Sequence, residues 1–364
     1  MKKIAHIQVI PKLSGVQQVS YDILSGINCA NVKKFIICGA ADDELENEFR
    51  DVFTSANVKI ITLESLKRNI GLHDIKCFLE LYRLFKKERF DVVHTNSTKP
   101  GIVARIAAKF AGIPNVIHTV HGIAFHRHEK FIKRIFYYLL ENIATLFGDE
   151  NITVNNVYKK YYPLVKSKTI YNGVDFENFC LINKDNRDIL HFAYIARLDE
   201  QKNPLEFIKA VSIVVQQYPQ SLIRFTLGGR GELEEQCKKL IGSLNLNDVI
   251  TMPGWISDKN KFYNSVDVLC QPSKWEAFGL VFVEAGFFKI PSIARAVEGI
   301  PEVVKDNYSG LLYQGGEYEL ADKMISLIND KSLLTKLGNN SKTYVSEHFD
   351  KKRMIKEYLD LYKL

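Results

Sequence analysis

Gln271-Pro-Ser-Lys-Trp-Glu276-Ala-Phe-Gly279-Leu-Val-Phe-Val-Glu284-Ala-Gly286 follows directly on an apolar run, Val266-Asp-Val-Leu-Cys270. The run reads as a buried strand, Pro272 as part of a polar turn, and the second apolar segment as a helix. With Phe278 or Gly279 opening that helix, Glu276 lies in the loop before it and Glu284 about a turn and a half inside. Both carboxylates then face one crevice at the carboxyl edge of a parallel sheet, where open α/β folds bind ligands. The backbone N–H groups of Gly279 and Leu280 stand unpaired at such a helix start, and a start of this kind attracts phosphate. The plainer alternative is a strand, a loop and a helix carrying two solvated glutamates.

On both sides of this segment short apolar runs alternate with helical patterns. Strands are expected at 4–10, 34–38, 58–63, 91–94, 116–120 and 151–154, with helices at 73–87 and 100–111. The second half repeats the rhythm, with strands at 191–195, 223–228, 249–252, 268–271, 291–293 and 310–313 and helices at 204–217, 232–244 and 317–329. Such alternation argues for an α/β chain with parallel sheets covered by helices. The Asn172-Gly173 turn and the polar linker 183–188 mark a boundary. The expected organisation is one Rossmann-like domain over 1–175, a second over 185–346, and a closing helix over 351–364.

A chain of 364 residues exceeds one typical core. Residues 1–10 are broken by His6 and Gln8 and read as a first strand, not a signal peptide. No run reaches the roughly 18–20 apolar residues of a spanning helix. Six scattered cysteines without Cys-x-x-Cys spacing suit reduced core thiols in the cytoplasm and give no zinc signature. Residues 1–175 hold 25 Lys+Arg against 17 Asp+Glu, a net of +8, whereas the remainder nets −1. A basic half suits nucleic acid, an anionic membrane or a phosphorylated substrate. The excess is modest and lacks a nucleic-acid motif, which argues against nucleic acid.

Within 126–147, Arg127, His128, Lys130, Lys133 and Arg134 alternate with Phe131, Ile132, Phe136, Tyr137, Leu139 and Leu140. This is either a basic, aromatic-rich helix lying on an anionic bilayer or a helix that packs its apolar face on the sheet. Together with the basic half, the first reading is favoured, as a weak peripheral contact with the inner face of the membrane. The first strand ends in Pro11-Lys-Leu-Ser14-Gly15, a single glycine where a dinucleotide site wants Gly-x-Gly-x-x-Gly, so a nicotinamide cofactor is not indicated. Asp42-Asp43-Glu44 reads as a solvated helix start.

The two glutamates, with Phe-Gly just after the first, resemble the signature of retaining, nucleotide-sugar-dependent glycosyltransferases of family 4. These have the GT-B fold, two Rossmann-like domains facing across a cleft. The resemblance covers nearly the whole chain. It assigns the donor diphosphate to Arg197 and Lys202, two cations at a helix entrance and so a natural clamp on their own account. By the same resemblance Glu276 holds the donor sugar, Glu284 the ribose hydroxyls, and His121 meets the sugar near its reacting carbon. Gly15, Gly229, Gly231, Phe278, Gly279 and Leu280 line the donor, with Trp255 and Ile256 flanking its base. Ser97, Lys99 and His126 fall on the acceptor side, Ser97 and Lys99 either projecting into the cleft from the polar turn before a helix that starts at Pro100 or simply capping that helix. The carboxy-terminal helix is expected to cross back to the first domain.

The expected activity is retaining transfer of a hexose or N-acetylhexosamine from a nucleotide-sugar, by family frequency a UDP-sugar. The acceptor is a lipid-linked saccharide of bacterial capsule or O-antigen synthesis, and no metal or other cofactor is implied. Two alternatives stay open: a GT-B epimerase or hydrolase that turns over donor without acceptor, and a non-catalytic sugar-nucleotide or membrane-binding module.

Overall fold

Among the described residues of the first half, the six apolar runs and the polar Ser167-Lys-Thr169, a strand not expected from the sequence, form seven strands: β1 Lys2–Ile7, β2 Val32–Cys38, β3 Val58–Thr62, β4 Val92–Asn96, β5 Asn115–Val120, β6 Glu150–Thr153 and β7 Ser167–Thr169. A computed structural model describes residues 1–41, 44–182, 189–218 and 222–364; Asp42, Asp43 and the linker 183–188 lie outside the described residues. The strands form one parallel sheet in the order β3-β2-β1-β4-β5-β6-β7. Between them run α1 Gly15–Ser25, α2 Glu44–Ser55, α3 His73–Glu88, α4 Thr98–Ala111 and α5 Phe131–Thr145. Strands buried on both faces read as continuous apolar runs rather than alternating ones. Ile4, Ile36, Val92 and Ile117 pack toward α1 and α2. Ala5, Ile37, Val93 and Val116 pack toward α3 and α4 on the other face.

Six further strands follow: β8 Leu190–Ile195, β9 Ile223–Gly228, β10 Ile250–Gly254, β11 Val268–Gln271, β12 Ser292–Arg295 and β13 Gly310–Tyr313. They form a second parallel sheet in the order β10-β9-β8-β11-β12-β13. Its helices are α6 Pro204–Gln217, α7 Glu234–Ser243, α8 Lys259–Ser265, α9 Leu280–Phe287, α10 Ile300–Val303, α11 Glu317–Asn329 and α12 Lys331–His348. Phe192, Tyr194, Phe225, Leu227, Val268 and Cys270 build its core under α6, α7 and α11. The strand order reverses between β1 and β4 in one sheet and between β8 and β11 in the other, so each has a switch point for a ligand.

The chain divides into two compact units, Met1–Gly173 with Lys351–Leu364, and Val174–Asp350. The last helix, α13 Lys351–Tyr362, packs on the first unit beside α1. Its Tyr362 hydroxyl bridges His6 Nε2 at 2.7 Å and His94 Nδ1 at 2.6 Å, and Tyr358 meets Thr119 at 3.0 Å. Among the described residues no helix is long and apolar enough to cross a membrane.

Two local expectations are corrected. Helix α4 starts at Thr98 with Ser97 as its cap, not at Pro100. Pro100 still falls in the first turn, where its missing N–H has no intrahelical partner to lose. Strand β10 runs on to Gly254 because the Gly229 N–H donates to the Gly254 carbonyl at 2.7 Å.

Candidate functional site

At the switch point of the second sheet, β8 and β11 lie side by side and their following loops are tied together. The Lys274 N–H donates to the Gln201 carbonyl at 2.8 Å, and Gln201 Nε2 donates to the Trp275 carbonyl at 3.0 Å. This brings Lys202, just after β8, onto Glu276, just after β11, as an ion pair. Both side chains are largely buried, at 16% and 12% exposure. Asp199 accepts from the Lys202 N–H at 2.9 Å, and Asn203 caps α6 with a left-handed φ of 54°. Arg197 is exposed and pairs with Asp199 at 3.0 Å, leaving much of its guanidinium in solvent.

Gly229 and Gly231 serve this loop directly. A Cβ on Gly229 would lie 1.8 Å from the Ala196 carbonyl oxygen, and one on Gly231 2.4 Å from that of Leu198. Only glycine lets the β9 loop back so closely onto the segment carrying Arg197. Gly254 is bonded to the same turn, so Trp255, largely exposed, and Ile256 stand next to it.

Gly279 has a φ of +82° and caps α9. The Gly299 N–H donates to the Glu276 carbonyl at 3.1 Å and fixes the loop from its far side. The Phe278 ring is buried edge-on against Phe349, so this side chain is core packing. Glu284 is buried on α9, with the Tyr263 hydroxyl on Oε2 at 2.8 Å and Lys259 Nζ on Oε1 at 2.5 Å. Lys259 and Tyr263 were not singled out from the sequence. Their spacing of four residues puts both on one face of a helix, which is the signal that was there to read.

In the first unit, β4 and β5 carry the other candidates. His121, half-buried, meets Asn96 Oδ1 through Nε2 at 3.0 Å, and burial lowers its pKa to about 4, so the imidazole is neutral. Ser97 beside it holds a φ of 68°, a strained value of the kind that gathers at functional sites. Gly15 is the exposed first residue of α1. His126 is half-buried in the loop leading to α5.

Lys99 does not project from the turn as expected. It is buried, ion-paired with Asp74, and donates to the Asn69 carbonyl at 2.7 Å, because α3 supplies a carboxylate at closer range than solvent. Helix α5 is inverted relative to ordinary packing. Phe131, Ile132, Phe136, Leu139 and Ile143 are exposed, while Glu141, Asn142, Ala144 and Thr145 face inward. Glu141 accepts from Tyr162 at 2.7 Å and Thr98 at 2.8 Å.

Two parallel sheets, each with a switch point and the second with the Lys202–Glu276 pair beside it, fit a glycosyltransferase of the GT-B fold. Its profiles match accordingly: Glycosyltransferase Family 4 over residues 13–178 and glycosyl transferases group 1 over 181–344. The chain is 32% identical over 99% of its length, and 96% of the relative's, to an Escherichia coli protein. That protein is a UDP-Gal:alpha-D-GlcNAc-diphosphoundecaprenol alpha-1,3-galactosyltransferase. A Staphylococcus aureus capsular polysaccharide biosynthesis glycosyltransferase, CapM, is 27% identical over 82% of this chain and 83% of its own. Among solved structures, Anabaena HepE in complex with UDP and glucose superposes with a TM-score of 0.81 at 18% identity, covering both chains fully. The chain belongs to the family 4, group 1 glycosyltransferases.

Proposed function

We propose that this enzyme transfers a hexosyl or N-acetylhexosaminyl group from a UDP-sugar to a lipid-linked saccharide in the assembly of a bacterial surface polysaccharide. UDP-galactose is the first donor to test, because the Escherichia coli relative that matches across nearly the whole chain is a galactosyltransferase using UDP-Gal and a diphosphoundecaprenol-linked acceptor.

The observation that carries the reading is the Lys202–Glu276 pair at the switch point of the second sheet. A diphosphate entering there takes Lys202, and Arg197 closes on it from the exposed side. Glu276 is released to hold the donor sugar's hydroxyls and to face the positive charge developing at its anomeric carbon. The bond from that carbon to the diphosphate breaks, and the acceptor hydroxyl bonds to the carbon on the same face. The hydroxyl proton ends on a phosphate oxygen. Charge appearing on the leaving group is the main quantity to stabilise, and fixed cations in a site screened from water do so best. Glu284 accepts the ribose hydroxyls. Two cations on the diphosphate take the place a divalent metal would fill, so transfer proceeds without one.

The exposed apolar side of α5, bordered by Lys130, Lys133 and Arg134, is the arrangement of a helix lying in a membrane interface. It holds the enzyme on the anionic surface where a lipid-linked acceptor resides.

The test is stabilisation by UDP, GDP and ADP in thermal unfolding, with Glu284→Ala as control. At a hundred times Kd, UDP adds about 2.7 kcal/mol, which for a unit of this size is roughly 5–10 °C. Stabilisation by UDP that is lost in the variant, followed by transfer from UDP-galactose, supports the reading. Indifference to all three nucleotides removes it, and donor turnover without acceptor replaces it with a hydrolase.

A further inference from the structure

We propose that Lys259 is a nucleotide-binding residue that works with Glu284 as a donor–acceptor pair recognising the vicinal diol of the ribose. The inference rests on the reading above, which puts a nucleoside diphosphate at the second sheet's switch point.

The two groups holding Glu284 differ in kind. Tyr263 is fully buried, its ring stacked 5.4 Å from Phe288, and its hydroxyl sits permanently on Oε2. Lys259 reaches Oε1 from the first position of α8, with its side chain 46% exposed, while Glu284 is only 8% exposed. Solvent, and so a ligand, therefore approaches the carboxylate on the Oε1 side, where Lys259 stands. An ionised carboxylate accepts about four hydrogen bonds and an ammonium donates three. The Lys259–Glu284 bond leaves Oε1 room for a hydroxyl proton and Lys259 two donors for a hydroxyl oxygen. A ribose hydroxyl has one proton to give and lone pairs to receive, so two adjacent hydroxyls satisfy both partners at once. A nucleotide lacking the 2′-hydroxyl loses this double engagement.

The ammonium also balances a carboxylate otherwise surrounded by Tyr263 and the apolar wall of α9. It holds the Glu284 oxygens in place before the ligand arrives, and binding then spends less on ordering them.

The experiment measures calorimetric Kd values for UDP and 2′-deoxy-UDP with the wild type, Lys259→Met and Lys259→Arg, each checked for unchanged unfolding without ligand. Wild type is expected to prefer UDP. Lys259→Met should weaken UDP about 10-fold, the scale of one hydrogen bond to a charged group, while weakening 2′-deoxy-UDP much less. Lys259→Arg should recover most of the preference. In turnover, the larger part of the loss should fall on donor KM rather than kcat. Equal weakening of both nucleotides, or no weakening, overturns the proposal. A Glu284→Ala variant that binds UDP like the wild type would instead remove the nucleotide site itself.

Discussion

Replacing Lys202 by Met separates two roles that the structure assigns to one ion pair. Without donor, the variant leaves Glu276 as an unpaired carboxylate that is 12% exposed. Removing one partner of a buried pair costs about 3–5 kcal/mol, and the slight exposure sets this case near 3 kcal/mol. The second unit should then unfold roughly 6–12 °C lower. Lys202→Met with Glu276→Gln removes both charges and should recover most of that loss, because a buried pair replaced as a whole is nearly neutral. Transfer behaves differently. Losing a principal stabiliser of the leaving diphosphate costs about 10²–10³ in rate, and the double variant, which restores no cation, must keep that deficit. Calorimetric unfolding and donor-saturated transfer, measured on the same preparations, read the two effects. A single variant within tenfold of wild-type rate, or a double variant that regains activity along with stability, would refute the assignment of Lys202 to the diphosphate.

Acid should loosen the first unit before the second. Burial, aided by His121, lowers His6 from 6.5 to about 3, so the native ring stays neutral while the unfolded chain takes a proton near 6.5. Stability is therefore full above pH 6.5 and declines as pH falls toward 3, by about 2 kcal/mol at pH 5 from His6 alone; a pH-dependent melt reads this loss, and a melting temperature unchanged between pH 7 and pH 5 would contradict it. Gly229→Ala should cost more than the 1–3 kcal/mol of ordinary overpacking, because the added Cβ would meet a backbone oxygen at 1.8 Å; a Tm within 2–3 °C of wild type would contradict this. Lys130→Glu with Lys133→Glu should lower sedimentation with anionic vesicles at low salt, and Ile132→Ser with Leu139→Ser should lower it at any salt. Unchanged binding in both pairs returns α5 to an ordinary solvated helix. Transfer should persist in excess EDTA; its abolition and rescue by a divalent cation would overturn the metal-independent scheme.

The alternation of strands and helices was legible because strands buried on both faces are apolar without interruption, as Val92–Val93 and Val268–Cys270 are. The segment from Glu276 to Glu284 was legible for the same reason, since its loop lies between two such runs. What stayed hidden depends on partners distant in the chain. Lys99 is adjacent to a polar turn, and nothing local reveals that Asp74 takes it inward. His6 and His94 look like isolated strand histidines until Tyr362, more than 260 positions beyond either, binds both. For α5 the amphipathic pattern was plain, but a pattern does not say which side meets the sheet. Here the small and polar side is the buried one, with Glu141 accepting from Tyr162 and from Thr98 of α4.

The placement of α13 has a consequence for how the protein is made. A ribosome delivers strands β1 to β7 first, and domains generally fold in the order they emerge. Yet Met354, Tyr358 and Tyr362, which complete the core of that first sheet, are translated only after every residue of the second unit. Until then His6 and His94 lack their shared hydroxyl, and the face that α13 shares with α1 and α2 is only partly covered. The second unit is the first able to finish folding on the nascent chain, and the earlier-made half must wait, exposed to chaperones, for residues still to be synthesised.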